Sequence, residues 1–110
     1  MRFAIPVSGD WVAPVFDEAT RLLIIDIIPG RRPEESELPS FVRPPELRAA
    51  ELKSLGIDVL VCNEISDRLA TFIREKGVEI RISLNRAVGD LKAFLAEHPH
   101  LKVWRPAAQG

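Results

Sequence analysis

The sequence predicts an α/β domain built on a parallel βαβαβ core. Three observations predict it. Ile57-Asp58-Val59-Leu60-Val61-Cys62 is a nearly continuous apolar run, the pattern of a strand buried on both faces of a parallel sheet. Helical spacing of apolar residues precedes and follows that run, with Gly56 and Gly77 at the expected stops. Phe3, Ile5 and Val7 alternate with Ala4 and Pro6, which supplies a first strand over residues 2–7 for it to lie beside.

The remaining elements follow in order. Pro6 removes a ladder donor, so the end of the first strand is expected to be locally unpaired. Residues 8–20 carry turn chemistry (Ser8-Gly9-Asp10, Pro14, Asp17-Glu18) and read as a long connection, the kind of loop that tends to carry function. Residues 21–28 are rich in β-branched residues and stop at Pro29-Gly30, so they form a strand. Residues 31–45 are polar and hold four prolines; they contain either an edge strand around 32–38 or none. Pro44-Pro45 opens a helix whose apolar stripe is Leu47, Ala50, Leu52 and Leu55. Ser66 is the N-cap of a second helix that places Leu69, Phe72 and Ile73 inward. Val78, Ile80 and Ile82 alternate with Glu79 and Arg81 in a half-buried strand over 78–82. Asn85 caps a last helix with Val88, Leu91, Phe94 and Leu95 on its inner face and Pro99 just beyond its end. Residues 1–100 read as one domain and 101–110 as a C-terminal tail, in which Leu101, Val103 and Trp104 either extend the sheet or pack on a partner.

Composition bounds the function. A chain of 110 residues buries roughly two-thirds of its unfolded surface, so its core needs no staples. The net charge of -1 gives no global field to attract nucleic acid or an anionic membrane. Cys62 is the only cysteine, which excludes an intrachain disulfide and a multi-cysteine zinc site within one chain. No apolar run approaches the roughly 18 residues that span a bilayer, and the N-terminus enters a strand with no cleavage pattern, so a cytoplasmic location is expected.

Right-handed crossovers place strands 2–7, 57–62 and 78–82 parallel and adjacent, with strand 21–28 antiparallel on the far side of the first. The gap between strands 2–7 and 57–62 is then a topological switch point, where open α/β sheets bind ligands beyond the carboxyl ends of their strands. Segments 8–18, 62–66 and 83–86 would meet there, and the helix starts near Ser66 and Asn85 would aim free N–H groups into the crevice. The expected ligand-contacting residues are Ser8, Gly9, Asp10, Phe16 and Asp17 from the first segment, Cys62, Asn63, Glu64 and Ser66 from the second, and Arg86 from the third.

Two stretches carry a family resemblance. Residues 1–10 (Met-Arg-Phe-Ala-Ile-Pro-Val-Ser-Gly-Asp) with Val12-Ala13-Pro14-Val15-Phe16-Asp17-Glu18-Ala19 form the first; Leu55 to Cys62, the turn at Ile65 and the helix ending Gly77-Val78-Glu79-Ile80 form the second. Together they resemble the dinitrogenase iron–molybdenum cofactor biosynthesis family, of the NifX and NifB C-terminal kind, over residues 1–97 with a poor match at 30–43. The resemblance implies a ribonuclease-H-like three-layer fold with a mixed sheet of about five strands and three helices. It implies non-enzymatic storage or handover of an iron–sulfur or iron–molybdenum cluster in nitrogen fixation, with a cluster-assembly or acceptor protein as partner; a homodimer is a separate expectation. The chain departs from the family at four positions. Pro14-Val15-Phe16-Asp17 stands where the family has Pro-His-Phe-Gly, and Asn63-Glu64 stands where it has a glycine pair. Val15 cannot ligate a metal, and two carboxylates in a partly desolvated pocket repel an anionic cluster by a few kcal/mol if both stay ionised, roughly.

Each singled-out residue has an ordinary alternative. Cys62 either gives one thiolate to a cluster or is a small buried hydrophobe; one thiolate per chain leaves an ordinary cluster short of ligands unless a dimer or other side chains complete it. Asp10, Asp17 and Glu64 either hold a divalent cation, as a metal-dependent nuclease would require, or serve turns. Phe16 reads as a core anchor for the long loop and Trp11 as an exposed contact. Arg86 either holds an anion or is solvated, and His98 and His100 either bind metal or serve the helix end. The sequence therefore supports two main readings: an accessory or carrier protein with altered or lost cluster binding, and a protein-interaction or regulatory module that keeps the fold without the cofactor.

Overall fold

The computed structural model describes residues 1–83 and 87–98. Its strands are β1 (Arg2–Ser8), β2 (Trp11–Val12), β3 (Arg21–Asp26), β4 (Glu34–Pro39), β5 (Val59–Cys62) and β6 (Glu79–Ile82). Its helices are α1 (Pro45–Ser54), α2 (Asp67–Glu75) and α3 (Val88–Glu97), with a single 3-10 turn at Phe16–Glu18. The six strands form one mixed sheet in the order β4-β3-β1-β5-β6, with β2 paired to the end of β1. β1, β5 and β6 are parallel, and β3 runs antiparallel on the other side of β1. The predicted core topology is therefore present. The sixth strand was not expected: Gly9, at φ 61, turns the chain so that Val7 pairs Val12 and Ser8 pairs Trp11. A two-residue Gly-Asp turn between paired strands is a recognised hairpin signal, and it converts the first part of the long loop into sheet.

Helices cover both faces. Ala4, Leu22, Leu60 and Cys62 pack with Leu52 of α1 and Ile73 of α2 in one core cluster. Phe3, Ile5, Leu23 and Val61 pack with Leu91 and Leu95 of α3 in the other. β1 is buried on both faces because it lies at the sheet's centre, which is why alternation there separates two cores rather than core from solvent.

Several local expectations need correction. β3 ends at Asp26 rather than residue 28; Ile27 still donates its N–H to the Met1 carbonyl, but Ile28 is exposed. Of the two options for residues 31–45, an edge strand forms, as β4. β5 begins at Val59 rather than residue 57, and the Asp58 carboxylate before it accepts the Arg2 backbone N–H at 2.7 Å. In α1 the inward face is Arg48, Ala49 and Leu52, and Leu47 is exposed. In and just before β6, Val78 and Ile80 pack on the core as the alternation predicts, but Arg81 is buried against the Phe3 ring and Ile82 is exposed, against it. α3 starts at Val88 with Ala87 as its N-cap, and Asn85, expected to cap it, lies outside the described residues. Residues 84–86 and 99–110, with Arg86, His100 and the tail, lie outside the described residues.

Candidate functional site

At the switch point between β1 and β5 two of the expected segments, 8–18 and 62–66, meet in direct contact, and residues 84–86 of the third lie outside the described residues. The Phe16 N–H donates to the Glu64 carbonyl at 2.8 Å, and the Glu64 N–H donates to the Pro14 carbonyl at 3.1 Å. Val15 and Glu64 form a parallel bridge. Trp11 and Ala87 form an antiparallel one, and the Val88 N–H donates to the Asp10 carbonyl at 2.8 Å. The segments that would line a crevice instead close it with backbone hydrogen bonds, which satisfies groups that a ligand would otherwise meet.

Asp17 completes the closure. Its carboxylate accepts the Ser66 backbone N–H at 2.8 Å and the Ser66 hydroxyl at 2.6 Å. Ser66 Oγ in turn accepts the Leu69 N–H at 3.3 Å, as an N-cap should. A carboxylate at a helix N-terminus is favoured by the exposed N–H groups and the helix dipole. The charge that would repel an anionic cluster therefore sits in the place where an anion would bind.

Arg48, which the sequence reading passed over, holds the other side of this loop. It is 1% exposed, its guanidinium stacks on the Phe16 ring at 4.3 Å, and it donates to the carbonyls of Asp17 and Ala19 and to Ser40 Oγ. Burial pushes this guanidinium down from its ordinary value, with the Glu51 and Asp17 charges opposing. An arginine beside the helix-opening prolines was the available signal, since its planar fork suits several carbonyls at once.

The other expected residues are scattered. Cys62 is fully buried in the core cluster facing α1 and α2, and burial, assisted by the Asp17 charge, pushes its thiol up to about 12. Asn63 is buried, while Glu64 is exposed and engaged through its backbone. Phe16 is fully buried and Trp11 is 58% exposed, as their loop positions suggested. Ser8 and Gly9 line an open cavity of about 360 Å³ with Pro14, Val15, Glu18 and Arg21, to which no residue of β5 or of 62–66 contributes. Asp10 lines a separate groove with Glu35, Glu37 and Lys92 beside the start of α3. His98 stacks near Phe94, away from both.

An iron–sulfur or iron–molybdenum cluster does not fit these residues. Among the described residues no three His, Cys, Asp or Glu side chains gather to hold a metal ion. The one thiol is inside the core and held neutral, whereas a metal ligand must be a thiolate.

The fold and site thus define a class: a three-layer α/β domain with a mixed sheet whose switch point is closed by its own loops. No family model matches the chain, and no curated protein matches it in sequence. Solved structures do share the fold. PH0822 aligns with a TM-score of 0.79 at 16% identity, over 88% of this chain and 89% of that one. A protein of Methanocaldococcus jannaschii provisionally named a dinitrogenase aligns with a TM-score of 0.71 at 20% identity, over 96% and 97% of the two chains. A Thermotoga protein provisionally named NifB, of the DUF35 family, aligns with a TM-score of 0.70 at 17% identity over the same shares. These likenesses establish a common fold. Among the described residues no helix is long and apolar enough to cross a membrane.

Proposed function

We propose that this chain is a non-enzymatic accessory protein on the ribonuclease-H-like fold of the iron–molybdenum cofactor biosynthesis proteins, and that it has lost cluster carriage and works by contacting another protein. The names given to two of the structural neighbours and the two matching sequence stretches support the accessory class. The observation that carries the loss is the Asp17 carboxylate on Ser66, which fills the start of α2 with the chain's own negative charge. The closed loop and the neutral Cys62 thiol support it further. A protein-contact role is supported by Phe41, Val42 and Leu47, three large apolar side chains more than half exposed around the β4–α1 connection.

Anaerobic reconstitution with iron, sulfide and molybdate tests this reading. The unaltered protein is expected to stay colourless and metal-free. The variant carrying Val15→His, Asp17→Gly and Glu64→Gly is expected to take up metal and gain charge-transfer absorbance. Stoichiometric cluster on the unaltered protein would refute the proposal.

A further inference from the structure

The two edges of the sheet are built differently. β4, at one edge, reads Glu34-Glu35-Ser36-Glu37-Leu38-Pro39, so it carries three carboxylates and ends in proline. Two such strands would repel each other, and proline interrupts pairing; both are recognised ways of blunting an edge. β6, at the other edge, is only 4 residues long and reads Glu79-Ile80-Arg81-Ile82, with no run of like charge and no proline.

The backbone of β6 shows which groups it leaves open. The Glu79 N–H donates to the Asp58 carbonyl at 3.0 Å and the Ser83 N–H to the Cys62 carbonyl at 2.8 Å. Alternate residues of a strand direct their N–H and C=O groups to opposite sides. Residues 79, 81 and 83 therefore bond inward to β5, and Ile80 and Ile82 turn theirs outward. Among the described residues no strand lies on that side. The Val78 N–H is used by the Ile73 carbonyl, but the Val78 carbonyl points the same outward way.

We propose that β6 is a self-pairing edge through which two copies of this chain form a twofold dimer with one continuous sheet. Antiparallel pairing centred on Ile80 places each Ile80 opposite the partner's Ile80, exchanging two backbone hydrogen bonds. The Ile82 N–H of each chain then reaches the carbonyl of the partner's Val78. On the α3 face Glu79 stands opposite the partner's Arg81, and Arg81 opposite the partner's Glu79. On the other face Ile80 and the exposed Ile82, 37% accessible, gain apolar neighbours. Glu79 already pairs with Arg81 within its own chain at 2.5 Å; Glu79 keeps 41% of its side chain accessible and Arg81 keeps 5%. The segment Glu-Ile-Arg is thus its own complement when reversed, which an isologous contact requires. The same pattern offers an arbitrary extended peptide no charge match, which is why a second copy is the occupant favoured. Four short-strand hydrogen bonds make this a weak, concentration-dependent association.

The test uses the full chain in sedimentation equilibrium from micromolar to millimolar concentration, with amide hydrogen exchange at both ends of the range. A monomer–dimer equilibrium is expected, with the Ile80 and Ile82 amides protected only at high concentration. Glu79→Arg turns two attractive cross-strand pairs into repulsive ones and is expected to loosen the dimer by about tenfold. Ile82→Lys alters an exposed side chain, leaves the fold intact and is expected to loosen it as well. A monomer throughout with both amides exchanging freely would overturn the proposal. So would a monomer with both amides protected at every concentration, since another segment would then cover the edge. A dimer unaffected by either substitution would place the contact elsewhere and overturn it too.

Discussion

Asp17 and Ser66, 49 residues apart, are joined by two hydrogen bonds, from the Ser66 N–H and the Ser66 hydroxyl to the two carboxylate oxygens of Asp17. This pair fastens the loop after β1 to the start of α2. Asp17→Ala removes a charged acceptor from a helix N-terminus and is expected to cost about 1–2 kcal/mol. Thermal unfolding should show it as a fall of several degrees, since about 1 kcal/mol shifts a domain of this size by about 4–8 °C. Ser66→Ala should cost about 1 kcal/mol. The double variant should cost less than the sum, because the two residues share one interaction.

Arg48 fastens the same loop to α1. Arg48→Met keeps the apolar stem but leaves the Asp17 and Ala19 carbonyls and Ser40 Oγ without their donor. A loss of about 3 kcal/mol is expected in urea denaturation. Arg48→Lys should recover only part of it, because a point charge neither forks between carbonyls nor stacks flat on the Phe16 ring. Recovery of full stability by lysine would show that charge alone matters at this position.

The sheet order was legible in the sequence because each parallel strand is bounded by clear signals: the apolar run before Cys62, the glycines at 56 and 77, and Ser66 as a true N-cap. The site was legible as a place and not as an open pocket. Periodicity reports which side chains turn inward, but it does not report that the 13–18 and 63–66 backbones pair with each other. Arg48 was passed over and Arg81 was placed facing outward for a related reason. Each is buried because an aromatic ring accepts its guanidinium, Phe16 for one and Phe3 for the other, and both rings come from distant parts of the chain. Leu47 and Ile82, expected to face inward, are exposed.

Cys62 gives the pH prediction. Its thiol is raised in the folded protein from an ordinary value of 9.0 to about 12, chiefly by burial. The unfolded chain therefore loses this proton at lower pH than the native one. The stability linked to Cys62 is fully present below about pH 9 and is lost progressively as pH rises through about 12. Cys62→Ala should flatten the fall in urea midpoint across that window. The native thiol should also resist thiol reagents near neutral pH and react only on unfolding.

The closed switch point is the centre of the account, and amide hydrogen exchange of the unaltered protein tests it most directly. Three of the N–H groups that close it are those from Phe16 to the Glu64 carbonyl, from Glu64 to the Pro14 carbonyl, and from Ser66 to the Asp17 carboxylate. Exchange at these three amides is expected to be strongly slowed, and that of Ser66 to quicken in Asp17→Ala. Free exchange at all three in the unaltered protein would mean an open crevice between β1 and β5 and would contradict the account.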